Sequence, residues 1–125
     1  QSIASLKNMV SILHTHGIKA IGATLISNIG QAGTTQATYD AHIQINNYIL
    51  MRGSFDSTAD FYTVTADPVT KILLPQYATH SDPNGTPDFL HVGRAGAEAE
   101  ASTLDITFFA PQRHWNPKAP LSMNN

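Results

Sequence analysis

Asp88 and His91 stand three residues apart in PDFLHVGRAG, residues 87–96. A carboxylate within reach of an imidazole holds the ring in one tautomer and stabilises the imidazolium that forms when the ring takes a proton. The same pair could equally be a loop carboxylate and a helix-start histidine with no chemistry, and DxxH by itself does not decide between them. Oxygen and imidazole donors also ligate divalent ions, so His80, Asp82, Asp88 and His91 define a second reading, a small metal- or ligand-binding module. Their spacing matches no metal motif, and loop aspartates commonly cap turns. His14 and His16 point to different faces of a helix and make poor joint ligands. At a helix end a cationic histidine suits the dipole.

The elements that must position the pair follow from periodicity and punctuation. Residues 2–16 carry Ile3, Leu6, Val10 and Leu13 at helical spacing, with Ser2 as a cap and Gly17 as the stop. Residues 18–26 (IKAIGATLI) are short and nearly continuously apolar, which predicts a parallel strand buried on both faces. Residues 27–33 read as loop. A second helix is predicted over residues 35–52, with Tyr39, Ile43 and Leu50 along one face and Gly53 closing it. Asn46 and Asn47 read as polar-face residues of that helix. Residues 55–65 (FDSTADFYTVT) form a second strand candidate, interrupted by Asp60. Asp67-Pro68 and Pro75 break the chain, with a short helical turn expected over 71–74.

Residues 76–87 read as loop, in the position where α/β folds keep their sites. A third helix is expected over 94–104, its alanines packing closely on a sheet. Residues 105–109 continue it or run extended, and residues 111–125 form a proline-containing surface tail. One domain over residues 1–110 plus that tail accounts for the chain. Helix, apolar strand, helix, strand is α/β winding.

The totals narrow the function classes. The 125 residues are 42% apolar with a formal charge of −2 and no basic run, which disfavours a nucleic-acid surface. With no cysteine, disulfides and thiolate metal sites are excluded. No apolar run approaches the ~20 residues of a membrane span. Asn84-Gly85-Thr86 is an N-glycosylation sequon, relevant to a secreted protein and weakened by Pro87.

Taken together, several segments resemble the C-terminal half of an SGNH (GDSL-type) hydrolase. Residues 17–25 (GIKAIGATL) look like that family's fourth strand, and residues 45–49 (INNYI) are similar to its asparagine-containing helix. Residues 53–68 (GSFDSTADFYTVTADP) resemble its fifth strand and the Asp-Pro after it. Residues 88–96 (DFLHVGRAG) resemble its terminal block, which carries the catalytic Asp and His. Two departures stand out: Val92-Gly93 follow His91 where the family has Pro-Asn, and Ala97 follows Gly96 where it commonly has tyrosine.

The resemblance implies a three-layer α/β fold with a parallel sheet, represented here by its last two strands and flanking helices. It implies an extracellular serine esterase or lipase acting on a small ester, lipid or acylated carbohydrate, with catalytic Asp88 and His91 and with no cofactor and no metal. The family's GDS nucleophile block and its GxND block are absent, and Ser27, Ser54 and Ser81 lie in no comparable setting. The expected partner is accordingly a missing N-terminal half of the same enzyme, or another copy. The alternative is a non-catalytic α/β domain that keeps the fold without the activity. If the family resemblance holds, residues 18–26 should pair in parallel with a strand inside 57–65, through a right-handed crossover helix over 35–52.

Overall fold

The structure, a computed structural model, describes residues 2–79 and 87–109. Helix α1 (Ser2–Thr15) leads to strand β1 (Ile21–Ala23), helix α2 (Gln36–Leu50) and strand β2 (Ser57–Ala59). Three shorter helical pieces follow: α3 (Phe61–Thr65), α4 (Arg94–Ala101) and a 3-10 turn over Ile106–Phe109. The last resolves the 105–109 segment as neither α-helix nor extended chain. The predicted tail, His80 and Asp82 lie outside the described residues.

β1 and β2 pair in parallel, with Ile21 opposite Ser57, Gly22 opposite Thr58 and Ala23 opposite Ala59. The crossover element is α2, as the α/β pattern predicts. α1 ends where Gly17, at φ +69, lets the Gly17 and Ile18 amides turn back onto the carbonyls of His14 and Leu13. α2 starts at a reciprocal cap in which Thr35 and Thr38 each accept the other's backbone N–H.

The strands are shorter than expected, and β1 is not buried on both faces. Ala20, Gly22 and Thr24 are buried, whereas Ala23 is exposed and Ile18 and Leu25 are 51% and 45% exposed. The alternation is that of a half-covered strand. Gly22 is needed because a Cβ there would stand 2.5 Å from the Phe55 ring. Phe61–Thr65 is helix rather than strand. Asp60 caps that helix by accepting the Thr63 N–H at 3.1 Å, the role that aspartate favours.

No helical turn forms at 71–74. Asp67 Oδ1 accepts the Val69 and Thr70 amides, Lys71 takes φ +64, and Ala66 pairs antiparallel with Leu73, which is fully buried. α4 packs chiefly on α3 and on the backbone at Tyr77 rather than on the sheet; a Cβ on Gly96 would meet the Tyr77 carbonyl oxygen at 2.7 Å.

Asn46 is not a surface-face amide. It is 4% exposed, its Oδ1 accepts the Leu25 N–H at 2.8 Å, and its Nδ2 donates to the Leu25 carbonyl at 2.9 Å. The side chain pairs with Leu25 as a strand's peptide group would, joining α2 to the end of β1. Asn46→Ala is therefore expected to lower stability by about 1–3 kcal/mol, water replacing part of the loss at half-exposed Leu25. Urea unfolding of the two proteins measures it, and an unchanged midpoint would show that this clamp contributes nothing.

Candidate functional site

The loop that carries Asp88 and His91 is held against residues 77–79 by a short antiparallel contact. The Thr79 N–H donates to the His91 carbonyl at 2.8 Å, the Gly93 N–H donates to the Tyr77 carbonyl at 2.7 Å, and Ala78 bridges to Val92. α4 begins directly after Gly93. Phe89 lies between the acid and the base with φ +53, a left-handed conformation that is costly for a bulky residue. Its ring would contact a Cβ on Gly30 at 3.4 Å, which places the dyad loop beside the loop that leaves the carboxyl end of β1.

The left-handed turn at Phe89 lets the next two amides fold back onto the acid. Asp88 Oδ1 accepts the N–H groups of Leu90 at 3.0 Å and His91 at 2.8 Å. Asp88 Oδ2 accepts from the Thr79 hydroxyl at 3.1 Å and lies 2.7 Å from His91 Nδ1. The His91 and Leu90 amides, and then the His91 ring, hold the Asp88 carboxyl far below the usual carboxylate range. An ionised Asp88 can only accept, so Nδ1 carries the proton. Nε2 of neutral His91 then presents its lone pair away from the acid, the tautomer a general base requires. The His91 side chain is 70% exposed and that of Asp88 is 25% exposed, so the base is open to solvent.

Sequence spacing thus brought together two residues that the structure also joins. Thr79 was not anticipated, because it meets Asp88 only through the 77–79 contact. Neither Asp88 nor His91 lines the larger cavities among the described residues. The largest, about 650 Å³, lies between α2 and α3 and includes Tyr39, Asn47, Asp60, Tyr62 and Lys71. There Tyr62 bonds Tyr39 through the two hydroxyls at 3.0 Å, and burial, then that bond, push its phenol well above the usual range.

Neither described serine that had been weighed as nucleophile approaches the dyad. Ser27 is fully buried and donates to the Lys71 carbonyl, and Ser54 is 7% exposed with no hydrogen-bond partner for its Oγ. Among the described residues no group of three or more His, Asp or Glu side chains gathers to hold a metal ion.

A second Asp–His pair has no counterpart in sequence spacing. His14 Nε2 lies 2.8 Å from Asp56 Oδ2, which also accepts the Ala20 N–H at 2.7 Å. The Ala20 bond and the His14 contact hold the Asp56 carboxyl below its usual value. The contact spans 42 residues, a distance over which sequence carries no signal. Among the described residues no helix is long and apolar enough to cross a membrane. No protein-family model and no curated protein matches the chain.

The depressed Asp88 value has a consequence for stability. A carboxyl whose folded value lies below its unfolded value of about 3.9 stabilises the fold above that pH. It loses the contribution as pH falls toward the folded value. Asp88→Asn, which cannot ionise, is expected to show a shallower loss of melting temperature than the parent chain below about pH 4. Thermal unfolding followed by circular dichroism in pH steps checks this, and superimposable acid limbs would mean that the amides do not hold the carboxylate in solution.

Proposed function

We propose that Asp88 and His91 are the acid–base pair of an SGNH-type serine ester hydrolase, acting outside the cell on a small ester, lipid or acylated carbohydrate. The observation that carries the reading is the Asp88–His91 Nδ1 contact of 2.7 Å on an ionised, doubly amide-capped carboxylate. In this reading His91 Nε2 takes the proton from an attacking serine hydroxyl and returns it to the leaving alcohol. Asp88 keeps the ring in the correct tautomer and stabilises the imidazolium. Thr79 and the turn at Phe89 hold the acid in place.

In this reading the serine and the oxyanion donors belong to a partner segment carrying the GDS and GxND blocks that this sequence lacks, and neither buried Ser27 nor buried Ser54 is hydrogen-bonded to His91. The order of strand, asparagine-bearing helix, strand and DxxH loop supports the same family, as does the position of the dyad loop beside the loop after β1.

Two measurements test the reading. Residues 1–125 alone should not label with a fluorophosphonate, which needs an activated serine; stoichiometric labelling of a serine within them would overturn the division of roles. In a form that contains the nucleophile and hydrolyses p-nitrophenyl acetate, His91→Ala and Asp88→Asn should each lower kcat by about 10⁴-fold; His91→Ala should leave the unfolding midpoint nearly unchanged, whereas Asp88→Asn, which gives up the amide-held carboxylate, should lower it at neutral pH. Retention of near-parental turnover by both variants would remove the pair from the mechanism.

A further inference from the structure

The cavity of about 650 Å³ between α2 and α3 is not lined by Asp88 or His91 and has no part in the hydrolase reading. Its volume suits a small molecule. Ile43 and Leu50 on α2 give it an apolar stretch, and the half-buried Tyr39 and Tyr62 line it beside them. Around these stand polar groups that the fold leaves unused. Asp60 is half-buried. Its Oδ1 takes the Thr24 hydroxyl at 3.0 Å and the Thr63 N–H at 3.1 Å, while its Oδ2 bonds no described residue. Unlike the unpartnered oxygens of Asn28 and Ser54, that Oδ2 is open to solvent. The Asn47 and Gln44 carboxamides and the Thr63 hydroxyl also line the cavity, are exposed, and bond no described residue. Where the Tyr39 and Tyr62 hydroxyls meet, one donates and the other keeps its proton for a further acceptor.

The charges in the wall select against ions. Asp40 and Asp60 oppose an anion. Lys71, whose ammonium donates to the Pro68 carbonyl at 2.6 Å and pairs with neither carboxylate, opposes a cation. A purely apolar ligand would strip water from these groups and return no hydrogen bonds. A neutral molecule with several hydroxyls and one face of C–H groups meets every condition. We propose that this cavity binds a neutral sugar ring, its hydroxyls on Asp60 Oδ2, Asn47 and Thr63 and its C–H face against Tyr62 and Ile43. A hydroxyl donating to a carboxylate makes a charge-assisted bond, the strong kind, and the same hydroxyl can accept from the Asn47 amide. An aromatic ring with a polar tip offers the apolar surface such a ring needs.

The test titrates residues 1–125 with methyl α-D-glucopyranoside, methyl β-D-galactopyranoside and methyl β-D-xylopyranoside and follows amide chemical shifts. Cyclohexanol, benzylamine and benzoate are the single-hydroxyl, cationic and anionic counterparts. The expected result is saturable binding of at least one glycoside, with shifts centred on Asn47, Asp60 and Thr63, and weaker binding of all three counterparts. Ester hydrolysis does not enter this measurement, so its outcome is independent of the role of Asp88 and His91.

Asp60→Asn keeps an oxygen for the Thr24 and Thr63 bonds, and so keeps the cap of α3, but replaces the free carboxylate oxygen with an amide. It should weaken glycoside binding about tenfold. Asn47→Ala removes an exposed, unbonded amide; it should weaken binding while leaving the unfolding midpoint unchanged. No saturation by any of the three glycosides, equal or tighter binding of a counterpart, shifts centred elsewhere, or full affinity in either variant would overturn the proposal.

Discussion

Everything in this fold hangs on a parallel ladder of three residue pairs, Ile21–Ala23 against Ser57–Ala59. Two strands of that length make a weak sheet by themselves. The protein extends the ladder with side chains. At its start Asp56 Oδ2 accepts the Ala20 amide, and at its end Asn46 takes both the N–H and the carbonyl of Leu25. Just past the ladder the Thr24 hydroxyl donates to Asp60 Oδ1 and accepts the Tyr62 N–H, tying the exit of β1 to the start of α3. Polar side chains thus stand where neighbouring strands would otherwise supply peptide groups.

The same economy builds the dyad loop. No long strand runs through residues 87–93; one bridge between Ala78 and Val92, with the flanking amide bonds, sets its register. Close approach then locks it. Gly96 lets α4 lie against the Tyr77 carbonyl, and Phe89 meets the loop at Gly30. The left-handed backbone at Phe89 is offset by what it places on the acid, two amides on one carboxylate oxygen. Those bonds favour the ionised form whatever the ring does, so Asp88 stays an acceptor and His91 stays oriented.

The two Asp–His pairs show why proximity alone does not assign a role. Asp56 meets His14 through Nε2 while its oxygen also serves the backbone of Ala20, so that pair belongs to the join between α1 and the strands. Asp88 meets His91 through Nδ1 and leaves Nε2, the outer nitrogen of the ring, turned to solvent. Each arrangement leaves the other ring nitrogen unbonded by the acid, and the two differ in exposure, the His91 side chain at 70% and that of His14 at 48%.

Helices and order of elements were legible in the chain because they rest on local physics. The apolar spacing of Ile3, Leu6, Val10 and Leu13, the stop at Gly17 and the apolar run before Thr24 each act over a few residues. Helix, strand, helix, strand follows from them, as does the DxxH pair, whose partners sit one turn apart. What the chain alone misassigned was set partly by local carboxylate caps that compete with strand and helix, and partly by distant groups. Asp60 ends β2 because a capping bond to Thr63 and a bond from Thr24 outweigh the β-forming residues after it. Residues 67–72 turn on the Asp67 carboxylate instead of winding into helix. Asn46 leaves the helix surface because Leu25, 21 residues earlier, offers it two backbone partners. Thr79 reaches Asp88, and His14 reaches Asp56, only once the chain has closed on itself. Periodicity records which face of an element is apolar, but the partner of a polar side chain is decided by what the tertiary structure brings within hydrogen-bond distance.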